Sequence, residues 1–401
     1  MTTTAINKII IAGSGLASWM TAAALSKNLP STIEITILDT PDTEKADVFY
    51  GTVTPPSSYD FFLKLGLSEA ELVTRSNSSF SYGTQYKNWG LTDASWVQCY
   101  HSLFPSWNGV PLSHHISANS ETLETYLVSA QAGLNGKFAH PPADRNIVLS
   151  SAEFGYHIKP HEITKLMKMI ALKNGVKLIS QQIKSIETQN SDIAAITLAN
   201  NEVITADLYI DTTGQEAKLL RSLADVTLQT KRTLGASYTE LKSEMLGPPL
   251  RRISSHKYGW QVITPLQDSD SILTIFDPSD GISAQEAHAA QTTTETVSSQ
   301  IDIGHRKTAW SGNCVAIGHA AAAVDPISPA PITLLQLDIT RLMGLIPVSR
   351  DFNIEANIFN EAYFKDVKNV ELFNGAFYLL DNLPDDPYSV SYTHLTLPTK
   401  A

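Results

Sequence analysis

A chain of 401 residues, 43% of them apolar, can bury a sizeable core and has room for one large α/β domain or two. Its formal charge of −11 excludes the basic footprint of a nucleic-acid binder or a polybasic membrane face, and its two cysteines, Cys99 and Cys314, exclude a disulfide framework and a cysteine-rich metal site. No apolar stretch reaches bilayer-spanning length, and Met1 to Ala5 has no basic stretch leading into an apolar one, so a cytoplasmic protein with no membrane contact is expected.

The first element is the apolar run Ile9, Ile10, Ile11 and Ala12, which suits a strand buried on both faces. It leads into the turn Gly13, Ser14, Gly15, Leu16, Ala17, Ser18, and Ala17 to Leu25 suits a helix. Ile33 to Leu38 reads as a neighbouring parallel strand ending on Asp39. Strand, tight turn, helix and acid-terminated strand make the βαβ unit of a dinucleotide site. Gly13 permits the sharp turn and Gly15 lets the backbone approach a pyrophosphate. The helix start near Leu16 turns free N–H groups and a positive dipole end toward the phosphates, and Asp39 would accept the ribose hydroxyls. Ser18 stands where the third glycine of the usual pattern falls. A purely structural turn is the blander alternative, and the position of the glycines between strand and helix weighs against it.

Further along, Gly51, Thr52, Val53, Thr54, Pro55 and Pro56 precede an apolar-periodic segment from Tyr59 to Leu67. Ala206 to Ile210 reads as a buried strand, with Asp211 and Gly214 in a tight turn after it. Arg221 to Phe276 alternates polar and apolar residues as antiparallel strands do. Asn313 to Ile317 reads as a strand, Gly318 lets the backbone turn, and Pro331 opens a helix over Thr333 to Ile346, a second helix start aimed at a ligand. Two such turns, at Gly13 and near Gly318, suit the length of FAD. No second Gly-x-Gly-x-x-Gly marks a nicotinamide site, so a separate flavin reductase is the expected source of reduced flavin. Phe352 to Leu380 is helical in period and carries Phe359, Tyr363, Phe364, Phe373, Phe377 and Tyr378. His114, His115 and His319 match no metal-ligand spacing and read as satisfied or exposed histidines.

In order and spacing these segments resemble the flavin-dependent tryptophan halogenase family. Gly51 to Pro56 is similar to its Gly-Glu-x-Thr-x-Pro, with Thr52 in place of the glutamate, and Ala206 to Gly214 to its Ala-Asp-Leu-x-Ile-Asp-Cys-Thr-Gly. Gly312 to Ile332, with Gly318 and Asp325, is similar to its second flavin block, Gly-Asn-x-Val-Ala-Ile-Gly followed by Glu-Pro-Leu-Glu-Ser-Thr. Tyr100-His101 and His114-His115 fall where the family has its own histidine segments. Of its Trp-x-Trp-x-Ile-Pro, Trp260 and Pro265 match, whereas Val262 and Thr264 replace the second Trp and the Ile.

The resemblance implies a doubly wound, Rossmann-like α/β FAD-binding lobe, with an antiparallel substrate sheet and the start of a C-terminal helical subdomain. The expected division is 1–350 for the FAD-binding domain with its substrate-side sheet at about 221–280, then 351–389 for a truncated helical subdomain. Residues 390–401 read as an in-frame translation of a sequencing adapter, a non-native tail, and the chain as a fragment. On that reading the aromatic face from Phe359 to Tyr378 lacks covering helices and stability is poor.

The implied chemistry is a reaction of reduced FAD with oxygen, oxidation of halide, and passage of hypohalous acid to a lysine beside an aromatic, indole-like substrate, assisted by a glutamate. The lysine position falls on Ser81 and the glutamate position on Ser328. Lys87 is no substitute, since six residues along a strand is about 20 Å. The two halide-binding N–H groups fall on Ala330 and Pro331, and proline has none. Three readings stay open: a flavin-dependent oxidoreductase of altered chemistry, a halogenase with displaced catalytic residues, and a flavin-binding protein without turnover.

Overall fold

The computed structural model describes residues 5–40, 44–89, 95–100, 108–119, 122–223, 226–256, 258–280 and 297–378. His101 and the 390–401 tail lie outside them. Two sheets organise the chain. The first is six-stranded, in the order Trp310–Ser311, Cys314–Ala316, Leu208–Asp211, Lys8–Ala12, Glu34–Leu38, Lys177–Ile179. All its pairings are parallel except that of the first two strands. Ile9, Ile10, Ile11 and Ala12 are fully buried at its centre, as a β-branched run covered on both faces requires.

The helix after the first strand runs Leu16–Asn28 and is buried over every residue from Leu16 to Leu25. A helix apolar all round belongs in a core. It packs against the helices Pro160–Lys173 and Ala330–Leu345.

The second sheet is eight-stranded and holds its own core around Trp260, Tyr86, Leu273 and Ile301. Its antiparallel middle, Gln229–Lys242, Leu250–His256, Gly259–Pro265 and Ser269–Phe276, is the sheet that the alternating pattern predicts. Two further strands, Gly83–Lys87 and Ser95–Cys99, extend it, the former pairing in parallel with Leu250–His256. The chain reaches this sheet from a separate two-stranded ladder of Ser79–Ser81 with Gly155–His157, and Tyr82 is the step between them.

The last helix, Asn353–Ala376, corrects one expectation. Phe359 and Tyr363 are fully buried against Ala330–Leu345 and Trp310, while Phe377 and Tyr378 enter the second core, where the Trp89 indole donates to the Phe377 carbonyl at 2.7 Å. Only Phe364 and Phe373 of the six aromatics are exposed. Most of the face expected to be uncovered is covered by the chain itself.

Candidate functional site

The two glycine turns, about 300 residues apart in sequence, meet. A Cβ on Gly318 would lie 2.9 Å from the Ala17 side chain, and Gly318 itself has a φ of +66°, a conformation that favours glycine. At the first turn, a Cβ on Gly13 would be 2.4 Å from the Thr212 carbonyl and 2.5 Å from Ser18 Oγ. Ser18 thus does more than replace a third glycine. Its hydroxyl shares a 2.8 Å hydrogen bond with Thr212 Oγ1, which in turn donates to the Ala12 carbonyl at 2.6 Å, tying the helix Leu16–Asn28 and the ends of Lys8–Ala12 and Leu208–Asp211 into one corner. Ser14 is buried beside it, and Asp39 sits half-buried at the end of Glu34–Leu38, where its N–H donates to the Ile179 carbonyl. This backbone frame fits FAD: glycines at both turns, a buried helix start, and an acid on the neighbouring strand.

Asp211 turns inward. Its carboxylate accepts from the N–H and hydroxyl of Thr213 and from the N–H groups of Leu219 and Leu220, at 2.7 to 2.9 Å. Burial raises its affinity for a proton, and these four donors oppose that. Asp211 therefore shapes the loop around Gly214, itself at φ +70°. Thr52 and Thr54 lie along Gly155–Ile158: the Ile158 N–H donates to the Thr52 carbonyl, and the Tyr156 N–H to Thr54 Oγ1. Thr52 Oγ1 sits 2.6 Å from Thr264 Oγ1, so the two residues that differ from the family's Glu and Ile are bonded to each other.

Ser81 and Ser328 are both fully buried, and both hydroxyls are engaged locally. Ser81 Oγ donates to the Gly83 carbonyl at 3.3 Å and accepts from the Gly83 N–H at 3.2 Å, bracing the step between sheets. Ser328 Oγ donates to Asn374 Oδ1 at 2.7 Å and accepts from the Ala330 N–H at 3.3 Å. Of the two expected halide donors, then, Pro331 has no N–H and that of Ala330 is already given to Ser328. Ile332 is buried in the same first helical turn. Asp325 accepts from the Arg232 guanidinium and the Tyr378 hydroxyl, each at 2.9 Å, and from the Ile327 N–H. Trp260 is fully buried, its indole donating to the Tyr378 hydroxyl at 3.1 Å.

Three residues escape a sequence reading. Arg251 is 1% exposed, donates to Thr84 Oγ1 at 2.9 Å and to the Ile327 carbonyl, and so puts a cation between the strand after Ser81 and the loop before Ser328. Desolvation lowers its proton affinity, and the neighbouring Tyr86, Tyr100 and Asp325 oppose that. Asp47 and Tyr50, in the 3-10 segment Glu44–Tyr50, stand on the two glycine turns: Asp47 Oδ2 accepts the Leu16 N–H at 2.8 Å, and the Tyr50 hydroxyl accepts the His319 N–H at 3.2 Å. His319 is buried, stacked on Tyr50, and pushed down to about 3 by burial. His114 and His115 lie on the short helix Leu112–Asn119, and among the described residues no His, Cys, Asp and Glu cluster could hold a metal. Among them, too, no helix is long and apolar enough to cross a membrane.

A six-stranded, mainly parallel sheet with two glycine turns, together with a second, mixed eight-stranded sheet, is the fold of the flavin-dependent halogenases. The chain belongs to the tryptophan halogenase family, whose sequence pattern it matches over residues 8–400. It is 24% identical to the tryptophan 6-halogenase ThaL of Streptomyces albogriseolus, across 96% of this chain and 78% of that protein. It is also 24% identical to the tryptophan 7-halogenase RebH of Lentzea aerocolonigenes, across 85% and 70%. Among solved structures it superposes on BrvH, a flavin-dependent halogenase from Brevundimonas sp. BAL3, with a TM-score of 0.88 at 22% identity, covering 98% of this chain and 83% of BrvH.

Proposed function

We propose that the chain is a cytoplasmic FAD-dependent oxidoreductase that uses reduced flavin from a separate reductase, and oxygen, on an aromatic, indole-like substrate, without the family's halogenating pair. The observation that carries this is the state of Ser81 and Ser328: both are buried, both are committed to their own loops, and neither can supply an ammonium or a carboxylate. Gly13, Ser14, Gly15, Leu16, Ala17 and Ser18 would hold the pyrophosphate, Asp39 the ribose, and the turn from Gly318 through Asp325 to Ile332 the ring. When bound, FAD supplies the redox chemistry with oxygen. The chain's residues keep water out of the second core, where Trp260, Tyr86 and Trp89 surround the buried side of the sheet.

A halogenase with displaced machinery is the second reading, and Arg251 is what favours it. Its guanidinium is a buried cation bridging the two serine-bearing segments. Arginine stays protonated, however, and is a poor nucleophile toward hypohalous acid. The test is oxygen uptake by the purified protein with a flavin reductase, FAD and indoles, followed by mass spectrometry of the products with and without bromide. Oxygenated product insensitive to bromide supports the first reading. Brominated product lost in Arg251→Met supports the second.

A further inference from the structure

We propose that Asp47 and Tyr50 hold down this chain's affinity for FAD by occupying, with one short segment, both backbone seats that the fold offers the cofactor. The proposal rests on the flavin reading above and concerns what competes with the cofactor for its seats.

At the first seat the helix Leu16–Asn28 begins without help from its own sequence. Its N-cap is Gly15, which has no side chain to cap with, and its first turn holds no acid. The anion comes instead from Asp47, 7% exposed, whose Oδ2 accepts the Leu16 N–H at 2.8 Å. A Cβ placed on Gly15 would lie 2.7 and 2.9 Å from the two carboxylate oxygens, so the carboxylate rests against the bare face that the glycine exposes. That face is where a pyrophosphate would have to approach. Phosphate and carboxylate cannot share one N–H at one helix start, and their like charges repel at contact distance.

The second seat is filled the same way. The Tyr50 ring stacks on His319 with centroids 4.0 Å apart and planes 7° from parallel, and a Cβ on Gly318 would lie 2.3 Å from the Tyr50 hydroxyl. Beside Tyr50, Gly318 and His319 a void of only about 10 Å³ remains, room for about one water and far too little for a flavin ring. Both glycines are thus used, but by side chains of this chain.

The two contacts face different parts of the cofactor, which makes them separable. Asp47 should compete with pyrophosphate and Tyr50 with the ring. The full chain and its Asp47→Ala and Tyr50→Val variants are titrated with FAD, ADP and riboflavin, each variant's folding being checked by its cooperative thermal transition. Asp47→Ala is expected to tighten FAD and ADP on the order of tenfold, the scale on which an anion at a partly buried helix start is felt, and to leave riboflavin unchanged. Tyr50→Val is expected to tighten FAD and riboflavin and leave ADP unchanged. If Asp47→Ala does not fold, Asp47→Asn, which keeps an oxygen for the Leu16 N–H but drops the charge, carries the same expectation at smaller amplitude. Folded variants that bind FAD no better than the parent chain overturn the proposal while leaving the flavin reading intact. Failure of every form to bind FAD, ADP and riboflavin instead refutes the flavin reading, and the proposal with it.

Discussion

Replacing His157 by glutamine should change how the protein responds to acid. His157 is fully buried: Nδ1 lies 3.0 Å from the Pro265 carbonyl and 3.1 Å from Ser79 Oγ, and Nε2 is without a partner among the described residues. Burial pushes its imidazolium down to about 3, against an ordinary value of 6.5, and nearby Arg251 pushes the same way. A histidine kept neutral by the fold leaves stability intact above the unfolded value of 6.5. Stability is then lost as pH falls below it, because the unfolded chain takes up a proton that the folded chain refuses. At pH 5.0 the loss is about 2 kcal/mol for this one residue. Other groups titrate in the same window. His319 adds a loss of the same sign, while Asp338, pushed up to about 7 by burial against its Arg341 partner, works the other way. Both are present in parent and variant and cancel in the difference. Glutamine at 157 can still donate to the Pro265 carbonyl but does not titrate. Urea unfolding of parent and His157→Gln at pH 7.5 and pH 5.0 should therefore show the parent's advantage shrinking by about 2 kcal/mol on acidification. A gap that stays constant or widens would refute the argument.

Gly13→Ala should prevent a stable fold, because its Cβ meets the Thr212 carbonyl at 2.4 Å and φ is +142°; a loss of about 3 kcal/mol or more is expected, read as a lowered melting temperature or insoluble protein. Arg251→Ala should cost about 2–5 kcal/mol, since Thr84 and the Ile327 carbonyl each lose their buried donor at about 1–3 kcal/mol apiece, whereas Arg251→Met, which refills the space with apolar atoms, should be milder; paired urea curves check the order. Asp47→Ala should lower stability by about 1 kcal/mol without cofactor, since the helix start loses its anion, and calorimetry should see that loss reversed when FAD is added.

What the sequence made legible was local and periodic. Ile9 to Ser18 announces strand, turn and helix because glycines interrupt an apolar run, and the alternation from Arg221 to Phe276 announces a sheet. The pairing of Gly83–Lys87 with Leu250–His256 was not legible, because it joins segments far apart by backbone bonds that leave no side-chain pattern. Asp47 is a lone acid in an ordinary segment, and only the fold brings it to Leu16. Arg251 sits beside the exposed Arg252, so the pair reads as a solvated charge cluster, yet one member is core. The aromatics of the helix Asn353–Ala376 carry the helical period openly in the sequence. That Phe377 and Tyr378 tuck into the second core depends on where the helix ends against Trp89 and Trp260.

Our central proposal is that this member of the tryptophan halogenase family keeps the cofactor frame and lacks the halogenating apparatus: at the positions expected to carry it, Ser81 has no ammonium, Ser328 no carboxylate and Pro331 no N–H. Groups acting as one unit fail together, and loss of one positioned charged group commonly costs a factor of about 10² or more. Its most direct test is halogen incorporation, by mass spectrometry, when the protein is incubated with a flavin reductase, FAD, bromide or chloride, and a panel of indoles including free tryptophan. The account predicts halogenated product no higher than in the reaction without the protein; product accumulating at several turnovers per hour, and abolished when FAD is left out, would contradict it.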